Sequence, residues 1–279
     1  MKTRVLWALA IVSLLLFGST TALADGGEAG ETGPEKEQEE ESASEQEEET
    51  QQSGDVIDHG PFETLLKKYV DGKGMVAYGR LHRSESDREV LNRYVAAIGD
   101  ASVEGYGDSA RLAFYLNAYN ALVLHDVLER WPVETVIEED GFFDGKKHRV
   151  AGRSLTLNEL EHDEVIRKEF DEPRIHFVLV CAAVDCPRLR TTALTAENLE
   201  RELAAATREF VPRSTRLTSS GVVETSQLFN WFAEDFEKDA GSVAVYLGRN
   251  VRNFRLRAAL ASDDVEITFA EYDWAINQQ

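Results

Sequence analysis

Arg174-Ile175-His176-Phe177-Val178-Leu179-Val180-Cys181-Ala182-Ala183-Val184-Asp185-Cys186-Pro187-Arg188-Leu189-Arg190 holds both cysteines of this 279-residue chain. Its first half is a continuous apolar run rich in β-branched residues. A run this short, bounded by charge, reads as a buried strand near 175–181. Pro187 fixes its own φ and biases Cys186 away from helix. Cys186 is therefore expected on a rigid turn past the end of that strand, where functional side chains collect.

Outward from this stretch, the pattern is mostly helical. Leu65, Leu66 and Tyr69 mark a short amphipathic helix over 62–70. Val90, Leu91, Tyr94, Val95 and Ile98 mark another, capped by Ser86 or Asp87 and ending at Gly99. The strongest runs from Ser109 to Trp131-Pro132 and is apolar nearly all round, so it belongs at the centre of the core. It nevertheless holds Asn117 and Asn120, three apart and so on one face. Buried amides need hydrogen bonds, which either bridge to a neighbouring loop or line a site.

A hairpin is expected around Gly152, then a helix from Glu159 to Phe170 that carries Glu161 and His162. Thr195 to Asn198 open a further helix by their capping pattern. A second hairpin turns at Ser219-Ser220-Gly221. Helices at 227–237, 242–248 and 251–261 precede a last strand at 265–269. With no βαβ rhythm and no repeat, the class is α+β: a helix-rich single domain around a small, mainly antiparallel sheet.

Composition divides the chain. Residues 1–24 read as a signal peptide, with Lys2 and Arg4, an apolar run from Val5 to Phe17, and Ala22-Leu23-Ala24 before Asp25. Residues 25–55 carry thirteen acidic residues and one lysine and too little apolar surface to fold. They read as a disordered acidic tether, leaving 56–279 as the domain. Export to the periplasm or outside the cell is expected, with no stable membrane anchor after signal cleavage. The net charge of −21 splits into +2, −12 and −11 over these three parts. An acidic domain repels phosphate backbones, so nucleic acid is not an expected partner. An unidentified peptide or small-molecule ligand is.

Six histidines and two cysteines occur without the spacing of a zinc or calcium motif. No metal and no cofactor are expected. Three chemistries remain open for the cysteines. A thiol-dependent hydrolase or acyltransferase acting on amide, peptide or thioester bonds would use Cys186 as nucleophile and a histidine as base. A redox protein would use Cys181 and Cys186 together. A non-catalytic cell-envelope binding module would use neither. His162 and His176 are the candidate bases. On an extended strand His176 would lie roughly 30 Å from Cys186, so His162 is favoured. Glu161 points about 100° away from His162 on a helix, which leaves Asn120 or Asn117 as the orienting group. Asn117, Arg174 and Asp273 are candidate ligand-binding residues.

At these residues the chain resembles the DUF547 family, a domain of unknown function found in bacterial exported proteins and in plant proteins. The resemblance rests on Leu112-Ala113-Phe114-Tyr115-Leu116-Asn117-Ala118-Tyr119-Asn120, Leu155-Thr156-Leu157-Asn158-Glu159-Leu160-Glu161-His162, Arg174-Ile175-His176-Phe177, Cys186-Pro187-Arg188-Leu189 and Tyr272-Asp273-Trp274. It covers roughly 58–277. The family usually has Ser before its Cys-Pro step; here Asp185 stands there, and an acidic neighbour disfavours a thiolate at Cys186. The resemblance implies a polar site and supplies no settled activity.

Overall fold

A computed structural model describes residues 54–279. The expected signal segment, and the tether as far as Ser53, lie outside the described residues. The helices in chain order are α1 (Gly60–Tyr69), α2 (Tyr78–Arg83), α3 (Glu85–Asp100), α4 (Asp108–Arg130), α5 (Ile166–Glu169), α6 (Leu199–Ser214), α7 (Leu228–Trp231), α8 (Ala233–Ala240), α9 (Val243–Asn250) and α10 (Phe254–Leu260). The strands are β1 (His148–Val150), β2 (Arg153–Leu155), β3 (Arg216–Leu217), β4 (Val223–Thr225) and β5 (Ile267–Phe269). The class is the expected helix-rich α+β. No described helix is long and apolar enough to cross a membrane.

α4 is the spine. Every residue from Leu112 to Leu124 is buried, and α2, α3 and α5 all pack against the helix. β1 and β2 pair antiparallel, His148 opposite Leu155. Their turn places Ala151 and Gly152 at φ 47° and 75°, the backbone twist a two-residue hairpin requires. β4 pairs antiparallel with β3 and parallel with β5, Val223 opposite Ile267. The parallel pairing arises because four helices separate β4 from β5 and return the chain in the same direction.

The stretch near 175–181 is not a strand. Pro173 to Phe177 form a 3₁₀ turn, and the chain to Cys181 is irregular. Glu172 accepts from the Arg174 N–H at 3.0 Å, and Pro173 needs no donor partner at the first turn, so the turn is capped locally. The apolar run reports burial alone: Ile175 and Phe177 to Val180 are all buried. The expected helix over 159–170 is also broken, into a π turn (Glu159–Asp163) and α5. A reciprocal cap between Thr156 and Glu159 opens it.

Candidate functional site

The loop from Val178 to Cys186 is held from two sides. The Asn120 amide donates to the Val178 carbonyl at 2.9 Å and accepts from the Val180 N–H at 3.0 Å. The C-terminal segment clamps the other side: Ala183 bridges to Ile276, and the Val184 N–H donates to Ala275 at 2.8 Å. Between the clamps Ala182 sits at φ 67°, a left-handed conformation that costs a non-glycine residue free energy and persists only when its surroundings impose it. The loop closes on itself through a Cys181–Cys186 disulfide, with a Cα–Cα distance of 6.4 Å.

Two donors converge on the Cys186 sulfur. The Cys181 N–H reaches it at 3.1 Å and the Tyr272 hydroxyl at 3.2 Å. The same hydroxyl lies 3.7 Å from the Cys181 sulfur. Burial, then the charges of Asp185 and Glu161, push the Tyr272 phenol well above its ordinary range, so it keeps its proton and remains a donor. Cys186 is 5% exposed, whereas Cys181 is half-buried. Trp231 and Trp274 flank Tyr272, with ring centroids 4.9 and 4.6 Å from it.

A buried polar network continues inward. Glu161 comes from the π turn, an irregularity frequent at functional sites. It is buried and hydrogen-bonded to Tyr119 of α4, whose phenol burial and the Glu161 charge hold far above its ordinary range. The Glu161 carboxylate lies 3.7 Å from the His162 Nε2, beyond hydrogen-bond length and in keeping with the divergent directions expected of adjacent helical residues. Phe232 links both histidines: its ring stacks on His176 at 3.8 Å and on His162 at 5.7 Å.

His176 is 2% exposed, and its Nε2 faces the Asp235 carboxylate at 2.6 Å. Arg167 binds the same carboxylate through two nitrogens at 2.8 and 2.9 Å. Burial alone would raise Asp235; the His176 and Arg167 hydrogen bonds outweigh it and hold the carboxyl far below its usual range. Among the described residues the buried His176 Nδ1 has no hydrogen-bond partner. Burial holds this imidazole below its ordinary value against the pull of Asp235. A lowered histidine value means the folded state binds fewer protons than the unfolded one in acid. The associated stability is present above about pH 6.5 and is lost as pH falls. The urea midpoint is therefore expected to drop between about pH 7 and pH 5, with a shallower drop in His176→Gln; equal slopes in both proteins would contradict the assignment.

Residues 103–211 match a family model described as "Protein of unknown function, DUF547". No curated protein and no solved structure matches the chain. The matched span is narrower than the expected 58–277. Within the matched span lie Tyr119, Asn120, Glu161, His162, Arg167, His176 and both cysteines. Tyr272, Phe232 and Asp235 close the site from outside it.

Other residues anticipated from the sequence have structural partners. Asn117 spends both amide atoms on the Leu194 backbone, at 2.7 and 3.0 Å, as Asn120 does on the disulfide loop. Arg174 is shared between Glu172 and Glu200, pinning the 3₁₀ turn to α6. The Asp273 carboxylate caps the Ala275 N–H at 2.9 Å, and its own N–H donates to Asp185 at 2.8 Å. Tyr272, one position earlier in the quoted terminal motif, is the residue that reaches the sulfurs. Asp235 carries no local sequence signal; α8 brings it to His176 across 59 residues. His125, Asp126 and Glu129 place ligand atoms within 4.8 Å of one another, but the Lys146 ammonium binds both carboxylates, so the cluster is an internal charge pair.

Proposed function

We propose that this is an exported thiol–disulfide exchange protein whose redox pair is Cys181 and Cys186. One observation carries the reading: the buried Cys186 sulfur receives two hydrogen-bond donors. A disulfide sulfur accepts weakly, and a thiolate accepts strongly. The two donors thus favour the state in which Cys186 has left as a thiolate, and a lower-pKa leaving group departs faster. The disulfide also suits the oxidising compartment expected from residues 1–24.

In the exchange, a substrate thiolate attacks the more accessible Cys181 sulfur. The substrate–Cys181 S–S bond forms as the Cys181–Cys186 bond breaks. The electron pair goes to the Cys186 sulfur, held by the Cys181 N–H and the Tyr272 O–H. A second substrate thiolate then attacks the substrate sulfur and releases Cys181. Two substrate thiols become one disulfide, and their two protons end on Cys181 and Cys186. Tyr272→Phe removes one donor and is expected to slow reduction of the pair by dithiothreitol about tenfold, read by alkylation and mass. An unchanged rate would remove the donors from the mechanism.

A thiol hydrolase is the second reading, and His176 favours it. An imidazole held through one nitrogen by a carboxylate has the polarity of a general base, and this reading also needs its other nitrogen to reach the Cys186 sulfur. That chemistry requires Cys186 to be released from Cys181 first. A disulfide inert to thiols in the folded protein would leave the envelope binding module.

A further inference from the structure

A groove of about 320 Å³ opens at the carboxyl ends of the parallel pair β4 and β5, where two strands end side by side and the following loops diverge. Ser226 and Gln227 follow β4, Glu271 and Tyr272 follow β5, α6 supplies Arg213 from its last turn, and Asp185 comes from the disulfide loop. Tyr272 is shared: it lines the groove, and its hydroxyl lies 3.2 Å from the Cys186 sulfur and 3.7 Å from that of Cys181. The groove thus adjoins the redox pair, with Asp185 next to Cys186 in the chain.

Charges of both signs face this space without satisfying each other. The Arg213 guanidinium lies over the Phe210 ring, 5.6 Å from its centroid, and among the described residues it forms no ion pair. Asp185 accepts the Asp273 N–H through one oxygen, and no described cation pairs with Asp185 or with Glu271. Most other arginines of the domain are paired, as Arg167, Arg174 and Arg190 show. A ligand complementary to this wall carries an anionic and a cationic group together. The volume is at the small end of ligand sites, the size of an amino acid or a very short peptide.

We propose that this groove binds a small zwitterionic thiol, free cysteine or a short cysteinyl peptide, with its carboxylate on Arg213 and its ammonium on Asp185 and Glu271. The proposal rests on the redox reading and names its substrate class. A cysteine within a long polypeptide lacks both charged termini, so this wall would not select it. Binding at the groove presents the thiolate to the disulfide beside Tyr272.

The test uses the full chain. Reduction of the pair is followed with cysteine, with cysteamine (cation only), with mercaptopropionate (anion only) and with mercaptoethanol (neutral), each rate corrected for its thiolate fraction. Binding of S-methylcysteine, which cannot exchange, is followed in parallel by NMR shift perturbation. The expected result is saturable reduction by cysteine, about tenfold faster than by mercaptoethanol, together with S-methylcysteine shifts confined to the groove. Arg213→Gln should remove the advantage conferred by the carboxylate, and Asp185→Asn that conferred by the ammonium. Equal corrected rates without S-methylcysteine binding would overturn the proposal while leaving the redox pair intact. A cysteine preference that survives both substitutions would also overturn it. S-methylcysteine binding to a protein whose disulfide no thiol reduces would keep the ligand class and end the redox reading.

Discussion

Asp235→Ala is expected to destabilise the domain by about 3 kcal/mol. The carboxylate holds two partners, the buried His176 and the bidentate Arg167. Its removal leaves the imidazole N–H buried beside Phe232 with no acceptor, and leaves the guanidinium of Arg167 without its counter-charge. Breaking one side of such a pair costs more than the pair contributes, because the remaining groups stay desolvated. The quarter-exposed side chain of Asp235 puts the value at the lower end of that range. For a domain of this size the melting temperature should fall by roughly 6–12 °C. Asp235→Asn keeps an acceptor for His176 and should lose about half as much. If both variants melt with the parent protein, the His176–Asp235–Arg167 arrangement does not hold α8 to the 3₁₀ turn.

Asn120→Ala is expected to cost a similar amount, about 3 kcal/mol. Its amide closes two hydrogen bonds to one short loop, at 2.9 and 3.0 Å. The alanine variant leaves the Val178 carbonyl and the Val180 N–H unsatisfied inside the core, and each such group costs about 1–3 kcal/mol. The loss should also reach the disulfide, because Cys181 follows Val180 directly. Hydrogen exchange of the amides over 178–186 is expected to accelerate more than that of α4 itself. A uniform change across the domain would mean that Asn120 supports the core and not this loop in particular.

Much of the helical frame is legible from periodicity. The α4 pattern, apolar all round with polar exceptions, predicts a central helix, and its two asparagines are buried and hydrogen-bonded as buried amides must be. The reciprocal caps at Thr156–Glu159 and Thr195–Asn198 open the π turn and α6 at the positions their residue types indicate. The stretch near 175–181 misleads because an apolar run encodes burial and not backbone geometry. The Val178 carbonyl and the Val180 N–H are satisfied by a side chain of α4 instead of by a neighbouring strand. That substitution of partner leaves no mark in the local sequence.

The site is legible in outline and not in its connections. Glu161, His176 and Cys186 each sit in stretches that stand out by residue type. Their partners Tyr119, Asp235 and Tyr272 lie 42, 59 and 86 positions away in the chain, and tertiary packing alone makes them neighbours. His176 sits on a 3₁₀ turn, so an extended-strand estimate of its reach does not apply to it.

The central claim is that Cys181 and Cys186 form a reversible redox pair in the folded protein. Native protein equilibrated across a series of reduced-to-oxidised glutathione ratios, then trapped by alkylation and weighed, tests it directly. The expected result is one two-electron transition, identical from the oxidised and the reduced side, with unchanged circular dichroism throughout. A disulfide that persists at every ratio until denaturant is added, or a reduction that unfolds the domain, would contradict it.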